Sequence, residues 1–323
     1  MSGETMVEPG RWASSRVAIL YGGESDERDV SLKTGRAFYD ALLRLGYQNV
    51  ELIDATGAGL LQVAQSPPDV ALLALHGGLG EDGSVQGMLE CLQVPYTGSG
   101  VHACAVAMNK STTKRLWRTA GVSTPEWEVL RRDQVEHILS QSSLDARVPC
   151  VVKPALGGSS VGVTLVERPE DYYGALERSL KCPGPVMIEA MVEGRELTVG
   201  LMDNQVMGIV EIIARRGFYD YTAKYGDPLT EYQFPASLPD RVQAEVRRQA
   251  ELAGKVVGCR GVARVDLMLD FEDRPWFLEV NTTPGMTATS LVPKIAQGAG
   301  VSFEHFTQML LNKAKLDADV LFE

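Results

Sequence analysis

VARVDLMLDFEDRPWFLEVN (262–281) contains two apolar runs, Val262–Leu269 and Trp276–Val280, separated by a polar link. Each reads as a strand. Side chains two apart on a strand share a face, so Arg264 and Asp266 point the same way, and Glu279 and Asn281 repeat that spacing on the next strand. If the strands pair, three oxygen ligands, Asp266, Glu279 and Asn281, converge beside one guanidinium. The flanks VDLML and FLEVN are strongly apolar, which places the acids in a buried sheet. A buried carboxylate needs a partner or a metal. Hard oxygen ligands with phosphate partners suit Mg2+ and not zinc. Two acids on neighbouring strands also occur as a plain solvated face, and the apolar flanks argue against that here.

Outward from this hairpin, the pattern divides the chain into three units, 16–104, 105–190 and 191–323. In the first, Arg16–Tyr21 (RVAILY), Val50–Ile53 and Val70–Leu75 read as strands. Between the first two lies a helix from about Val30 to Leu45, with Leu32, Phe38, Leu42 and Leu45 on one face and Gly46 as its stop. Strand–helix alternation of this kind predicts a parallel α/β layer. The second unit reads as a helix at Ser111–Ala120, strands at Cys150–Lys153 and Val161–Val166, and a helix opened by Pro169. The third reads as strands at Leu197–Met202 and Val206–Ile213, a helix at Asp240–Val257, and the opening hairpin. Between them, residues 214–235 show no regular pattern. This segment holds four tyrosines around Lys224; a structureless stretch of this length inside a domain is either a wrong assignment or a functional lid, and a lid is expected.

Composition narrows the function. The chain has 323 residues, 31 Lys and Arg against 42 Asp and Glu, and a net charge of −11. That argues against a protein living on nucleic acid or anionic membranes, though a few lysines suffice for one small anion. No apolar run approaches the roughly 20 residues of a membrane span. Residues 1–15 are polar and read as a disordered lead. Five widely spaced cysteines with no CxxC form neither a disulfide framework nor a zinc site, so a reducing cytoplasm is expected.

The chain lacks GxxxxGK[ST], and Gly22-Gly23 after the first strand is not GxGxxG. KPALGGSSVG (153–162) is more informative. A lysine ends a strand and a loop of small residues follows, which lets backbone N–H groups approach an anion. A flexible hairpin with a solvated lysine has the same sequence. Ser159 has no histidine near it in sequence, so it does not read as a nucleophile. His76 follows ALLAL and by itself reads as a strand-end histidine. Glu81 and Asp82 are expected to cap the helix beginning at Ser84 and to contact nothing else.

Nine stretches, taken together and in order, carry a resemblance: YGGESDERDVSLKTG (21–35), LHGGLGEDGSVQGMLE (75–90), PYTGSG (95–100), MNKSTTK (108–114), VVKPALGGSSVGV (151–163), EGRELTVG (193–200), FYDYTAKY (218–225), GVARVDLML (261–269) and LEVNTTPGMTATSLVPK (278–294). The chain resembles the ATP-grasp carboxylate–amine ligases, and within them the D-alanine–D-alanine ligase family, over roughly Arg16 to Gly300. The resemblance implies an ATP-grasp fold behind an N-terminal parallel-sheet α/β domain, α/β with an α+β part. By position it implies Lys110 and Lys153 on ATP phosphates, Glu189 at the adenine amino group and Glu196 at the ribose. Asp266, Glu279 and Asn281 would hold two Mg2+, with Mn2+ as a substitute. Glu27 would meet the ammonium of the first D-alanine, His76 would line its pocket, and Arg264 and the Gly285 N–H would face its carboxylate. Ser290, the Leu291 N–H and Lys224 would hold the second carboxylate, and Glu27, Ser159 and Tyr225 would close the lid.

Three positions depart from the family's pattern. Gly157 stands where many relatives carry an acid, and Asn109 and Thr222 stand where acids are common, which is expected to tune affinity. The implied activity is ATP-dependent ligation of two D-alanines through an acyl phosphate, in the bacterial cytoplasm, for peptidoglycan. The implied partners are ATP, D-alanine and a second copy of the chain, with neither nucleic acid nor membrane. A D-alanine–D-lactate ligase is one alternative, against which Lys224-Tyr225 argues. The other is a nucleotide- or amino-acid-binding module that has lost catalysis, against which the intact set Arg264, Asp266, Glu279 and Asn281 argues.

Overall fold

VAILY at Val17–Tyr21 is apolar throughout and forms β1, whose first four residues are fully buried. Such a continuous apolar run suits a strand covered on both faces. The structure is a computed structural model that describes residues 10–141, 147–158, 161–214, 230–287 and 290–320. β1 is the centre of a parallel sheet in the order β2-β1-β3, with β2 at Val50–Asp54 and β3 at Val70–Leu73. Helix α1 (Arg28–Arg44) links β1 to β2 and buries Thr34, Phe38, Ala41 and Leu42. Helices α2 (Gly57–Gln65), α3 (Ser84–Cys91) and α4 (Val101–Met108) follow. The parallel α/β layer read from strand–helix alternation is present.

Helix α5 (Lys110–Ala120) leads into a four-stranded antiparallel sheet of order β4-β7-β5-β6. Its strands are β4 (Trp127–Leu130), β5 (Cys150–Pro154), β6 (Thr164–Val166) and β7 (Val186–Ala190). Helices α6 (Arg132–Gln141) and α7 (Tyr172–Leu180) belong to the same unit. A five-stranded antiparallel sheet of order β10-β9-β8-β11-β12 comes next. It contains β8 (Gly194–Met202), β9 (Gln205–Ala214), β10 (Thr230–Gln233), β11 (Val262–Asp270) and β12 (Pro275–Asn281), with helix α8 (Asp240–Val257) packed on it. Helices α9 (Leu291–Gly298), α10 (Phe303–Asn312) and α11 (Asp317–Val320) close the described chain.

The structure corrects several expectations. Thr230–Gln233, inside the stretch expected to be irregular, pairs antiparallel with β9, and Tyr232 packs on Ile212. TEYQ has too short an alternation to announce a strand; β9 supplies the template. Residues 215–229 lie outside the described residues, and with them most of the expected lid. Residues 10–15 are no loose lead: Trp12 packs into the core around Phe38 and Phe306, and the Arg11 N–H donates to Asn312 Oδ1 at 3.1 Å. The strand expected at Val161–Val166 begins only at Thr164. Among the described residues, no helix is long and apolar enough to cross a membrane.

Candidate active site

A cleft of about 630 Å3 lies between the four-stranded and five-stranded sheets. Its walls include Lys153 on β5, Glu189 on β7, Glu196 on β8, Asp266 and Met268 on β11, and Leu278 and Glu279 on β12. A much smaller pocket of about 50 Å3 is lined by Glu27, His76, Glu81, Arg264, Asn281 and Gly285 among others. Lys110, Gly157, Gly158 and Glu279 line both, so the two spaces adjoin at these residues.

The hairpin that opened the sequence reading forms their common wall. β11 and β12 pair with Asp266 opposite Glu279 and Arg264 opposite Asn281, so all four face one way. Arg264 Nη2 meets Asp266 Oδ2 at 2.8 Å, and Thr198 donates to Asp266 Oδ1 at 2.6 Å. Lys110 Nζ stands 3.1 Å from Glu279 Oε2. Asn281 Oδ1 accepts the Thr283 N–H at 2.9 Å. The acids are less buried than their apolar flanks suggested, with side chains 13% (Asp266) and 26% (Glu279) exposed. Alternate residues of the hairpin, such as Val265, Leu267 and Phe277, point into the core instead.

The comparisons with known proteins coincide with this geometry. Family models for the N-terminus and the C-terminus of D-ala D-ala ligases match residues 60–99 and 116–312. A D-alanine–D-alanine ligase of Anaeromyxobacter dehalogenans (strain 2CP-1) is 44% identical over 95% of this chain and 99% of its own. The chain belongs to the D-alanine–D-alanine ligase family. Its fold is close to the solved D-alanine–D-alanine ligase of Bacillus anthracis complexed with ATP, with a TM-score of 0.78 and 32% identity over 95% of this chain and 99% of that one. The VanG D-Ala:D-Ser ligase of Enterococcus faecalis matches at TM-score 0.75 and 26% identity, over 91% of this chain and 97% of that one.

Within this ATP-grasp ligase, helix α5 brings Lys110 to the cleft and buries Lys114 behind it. Asn109 caps it by accepting the Thr112 N–H at 3.0 Å, and Lys110 is the first helical residue. Lys110 Nζ also donates to the Gly157 carbonyl at 2.5 Å, tying the Gly/Ser loop to the helix. Gly157 has φ +98°, a backbone state that favours glycine, so the absent acid at this position has a conformational reason. Lys153 Nζ reaches Glu189 Oε2 at 2.6 Å, and the other oxygen of Glu189 pairs with Lys114. Burial alone would raise the Glu189 pKa, but Lys153 and Lys114 together hold it below the ordinary value. Lys114, given no role by the sequence reading, is drawn down to about 8 by burial, against the pull of Glu189.

The small pocket holds the residues expected around the first amino acid. Glu27 stands at the N-terminus of α1, with its Oε2 only 2.9 Å from where a Cβ on Gly77 would sit. Gly77, at φ +67°, is therefore the residue that lets HGG pass beneath that carboxylate. His76 is buried, not a plain strand end. Its Nδ1 meets the Thr283 carbonyl at 2.9 Å, which assigns the proton to Nδ1 and makes Nε2 the acceptor of Thr34 Oγ1 at 3.0 Å. Burial lowers its pKa, so the ring is neutral. Glu81 corrects the reading directly. Asp82 does cap α3, accepting the Ser84 N–H at 2.8 Å, but Glu81 turns inward to line the pocket. Burial, then the charge of Glu27, pushes Glu81 up to about 7. Neither spacing nor polarity separates Glu81 from its exposed neighbour Ser84; only the turn 78–80 does.

Gly285 lines the same pocket, and Ser290 lies beside it, its Oγ 3.0 Å from where a Gly285 Cβ would sit. Ser290 precedes α9 and Leu291 opens it, so the Leu291 N–H belongs to a helix N-terminus, where carboxylates bind readily. Ser159, Thr222, Lys224 and Tyr225 lie outside the described residues.

Proposed function

We propose that this protein joins two D-alanine molecules into D-alanyl-D-alanine, driven by conversion of ATP to ADP and phosphate. The observation that carries this is the junction at Lys110, Gly157 and Glu279, where a nucleotide-sized cleft meets a pocket small enough for one amino acid. Lys110 and Lys153 supply positive charge to the phosphates, with Glu189 and Glu196 toward the nucleoside. Glu27 takes the ammonium of the first D-alanine; Arg264 and the Gly285 N–H take its carboxylate.

One carboxylate oxygen attacks the γ-phosphorus as the bond to ADP breaks, giving D-alanyl phosphate. The neutral amine of the second D-alanine, its carboxylate held by Ser290, the Leu291 N–H and Lys224, then attacks the acyl carbon. Arg264 and the Gly285 N–H hold the resulting oxyanion in this reading, a role worth roughly 10²–10³ in rate per donor. Phosphate leaves, the C–N bond remains, and the amine releases a proton. Asp266, Glu279 and Asn281 present hard oxygens on one face, a donor set that fits two Mg2+ or Mn2+. Such ions neutralise charge on the transferred phosphoryl group. Glu27, Ser159 and Tyr225 complete the reading as the set that closes the site over the intermediate. The cellular reading is a cytoplasmic homodimer feeding peptidoglycan synthesis.

The test is phosphate release from ATP with D-alanine alone, and with D-serine or D-lactate as second acceptor, the products identified by mass spectrometry. D-alanine-dependent release with the dipeptide as the main product is expected. Binding of ATP without release would make the protein an inactive module, and a dominant depsipeptide would make it a D-lactate ligase.

A further inference from the structure

Lys114 lies one helical turn beyond Lys110 on α5, and its side chain is wholly buried. An ammonium in such a place is costly unless its protons are all used. Here they are used on three elements at once. It pairs with Glu189 on β7, donates to Thr124 Oγ1 at 2.5 Å, and lies 3.4 Å from the Phe277 carbonyl on β12. Thr124 in turn donates to that same carbonyl at 2.8 Å, and the Trp127 ring faces the ammonium at 5.7 Å. Phe277 stands two residues before Glu279. One buried charge thus touches the helix that carries Lys110, the strand that carries Glu189 and the strand that carries Glu279.

The charge balance gives this network a purpose beyond packing. Glu189 is 2% exposed and sits between two lysines, Lys114 beneath it and Lys153 in the cleft wall. With Lys153 as its sole partner, any turn of that ammonium toward a phosphate would strip a buried carboxylate of its counter-charge. With Lys114 beneath, Glu189 keeps a partner whichever way Lys153 turns. Stability alone does not call for this arrangement, because well-packed apolar side chains often replace a whole buried ion-pair set at no greater cost.

We propose that Lys114 is a positioning residue of the nucleotide site, the permanent counter-ion of Glu189 that leaves Lys153 able to engage the polyphosphate. The inference rests on the reading that this cleft takes ATP. Net charge across Lys114, Lys153 and Glu189 is +1; Lys114→Met lowers it to zero, and the double variant Lys114→Met/Glu189→Gln restores +1 with no carboxylate competing for Lys153.

Calorimetric binding of ATP and of inorganic tripolyphosphate, without D-alanine, decides the matter. Tripolyphosphate has no base, so it reports on Lys153 whatever Glu189 does at adenine. Lys114→Met should bind both at least about tenfold more weakly. The double variant should recover tripolyphosphate affinity to within about threefold of wild type, a gain of about 0.6 kcal/mol or less being left unrecovered. A merely structural lysine predicts the reverse, with the double variant no better than the single. Should Lys114→Met fail to fold, the charge-balanced double variant carries the test alone and must bind tripolyphosphate like wild type. Equal affinity of Lys114→Met and wild type, or no recovery in the double variant, overturns the inference. Wild-type protein that binds neither ligand overturns instead the reading of the cleft, and the inference with it.

Discussion

Glu279 lines both the nucleotide-sized cleft and the small pocket, and Lys110 Nζ stands 3.1 Å from it. Glu279→Gln keeps the volume and removes the charge that a divalent ion and Lys110 both need. Turnover should fall at least about 10²-fold while the melting temperature stays close to wild type, since the side chain is part-exposed and an amide can be solvated there. Near-normal turnover would remove Glu279 from the metal site. Glu81 is the second residue whose behaviour can be forecast. Its folded pKa, about 7, lies above the 4.5 of an ordinary glutamate. The proton therefore favours the fold: this contribution is fully present below pH 4.5 and is lost as pH rises through 7. Glu81→Gln imitates the protonated form at every pH. Melting curves of the ligand-free proteins should coincide near pH 4.5 and separate at pH 8 with the variant the more stable. A gap independent of pH would show that Glu81 is not proton-bearing in the fold.

At the scale of single elements, α5 is the one whose start matters most, because Lys110 is its first residue. Asn109 ends the run before it and caps it through the Thr112 N–H. Asparagine and aspartate cap about equally well, so the departure from the family's acid leaves the helix start in place. Asn109→Asp should leave stability within a few tenths of a kcal/mol, whereas Asn109→Ala should cost about 1 kcal/mol. The loss should appear in the KM for ATP as well, since fraying the first turn frees Lys110 from Gly157 and Glu279. Urea midpoints and ATP titrations of the two variants check this, and an Asn109→Ala protein with unchanged ATP affinity would separate the cap from the site.

Across the whole molecule, the core does not follow the order of the chain. Val17 and Ile19 of β1 and Phe38 of α1 share one cluster with Val292 and Ala296 of α9 and Phe306 and Leu310 of α10. Arg44 also meets Glu304 at 2.8 Å across the same seam. The C-terminal helices therefore clamp the N-terminal sheet, and the small pocket between Glu27 and Gly285 depends on that clamp. Phe306 is 1% exposed, so Phe306→Ala should cost about 3–5 kcal/mol. The urea midpoint should drop accordingly, and KM for D-alanine should rise more than KM for ATP. A loss under 1 kcal/mol would show that α10 merely rests on the sheet.

Periodicity and local chemistry determined much of this protein. VAILY, the alternation in VARVDLML, and the apolar face Phe38–Leu42–Leu45 are local patterns with local causes, and they specified the parallel layer, the hairpin and the facing of Arg264, Asp266, Glu279 and Asn281. The order of nine motifs specified the family. Short elements such as α2, α6 and β4 escaped because nine, ten and four residues carry too little periodicity to stand out. Other features belong to tertiary structure alone. Glu81 is indistinguishable from a surface cap until the turn after Gly77 folds it against Glu27. Lys114 is one more lysine in a polar helix until β7 brings Glu189 over it, 75 residues along the chain. TEYQ becomes a strand only because β9 offers an edge. In each case the deciding force is desolvation or pairing by residues distant in sequence, and no window of local sequence contains them.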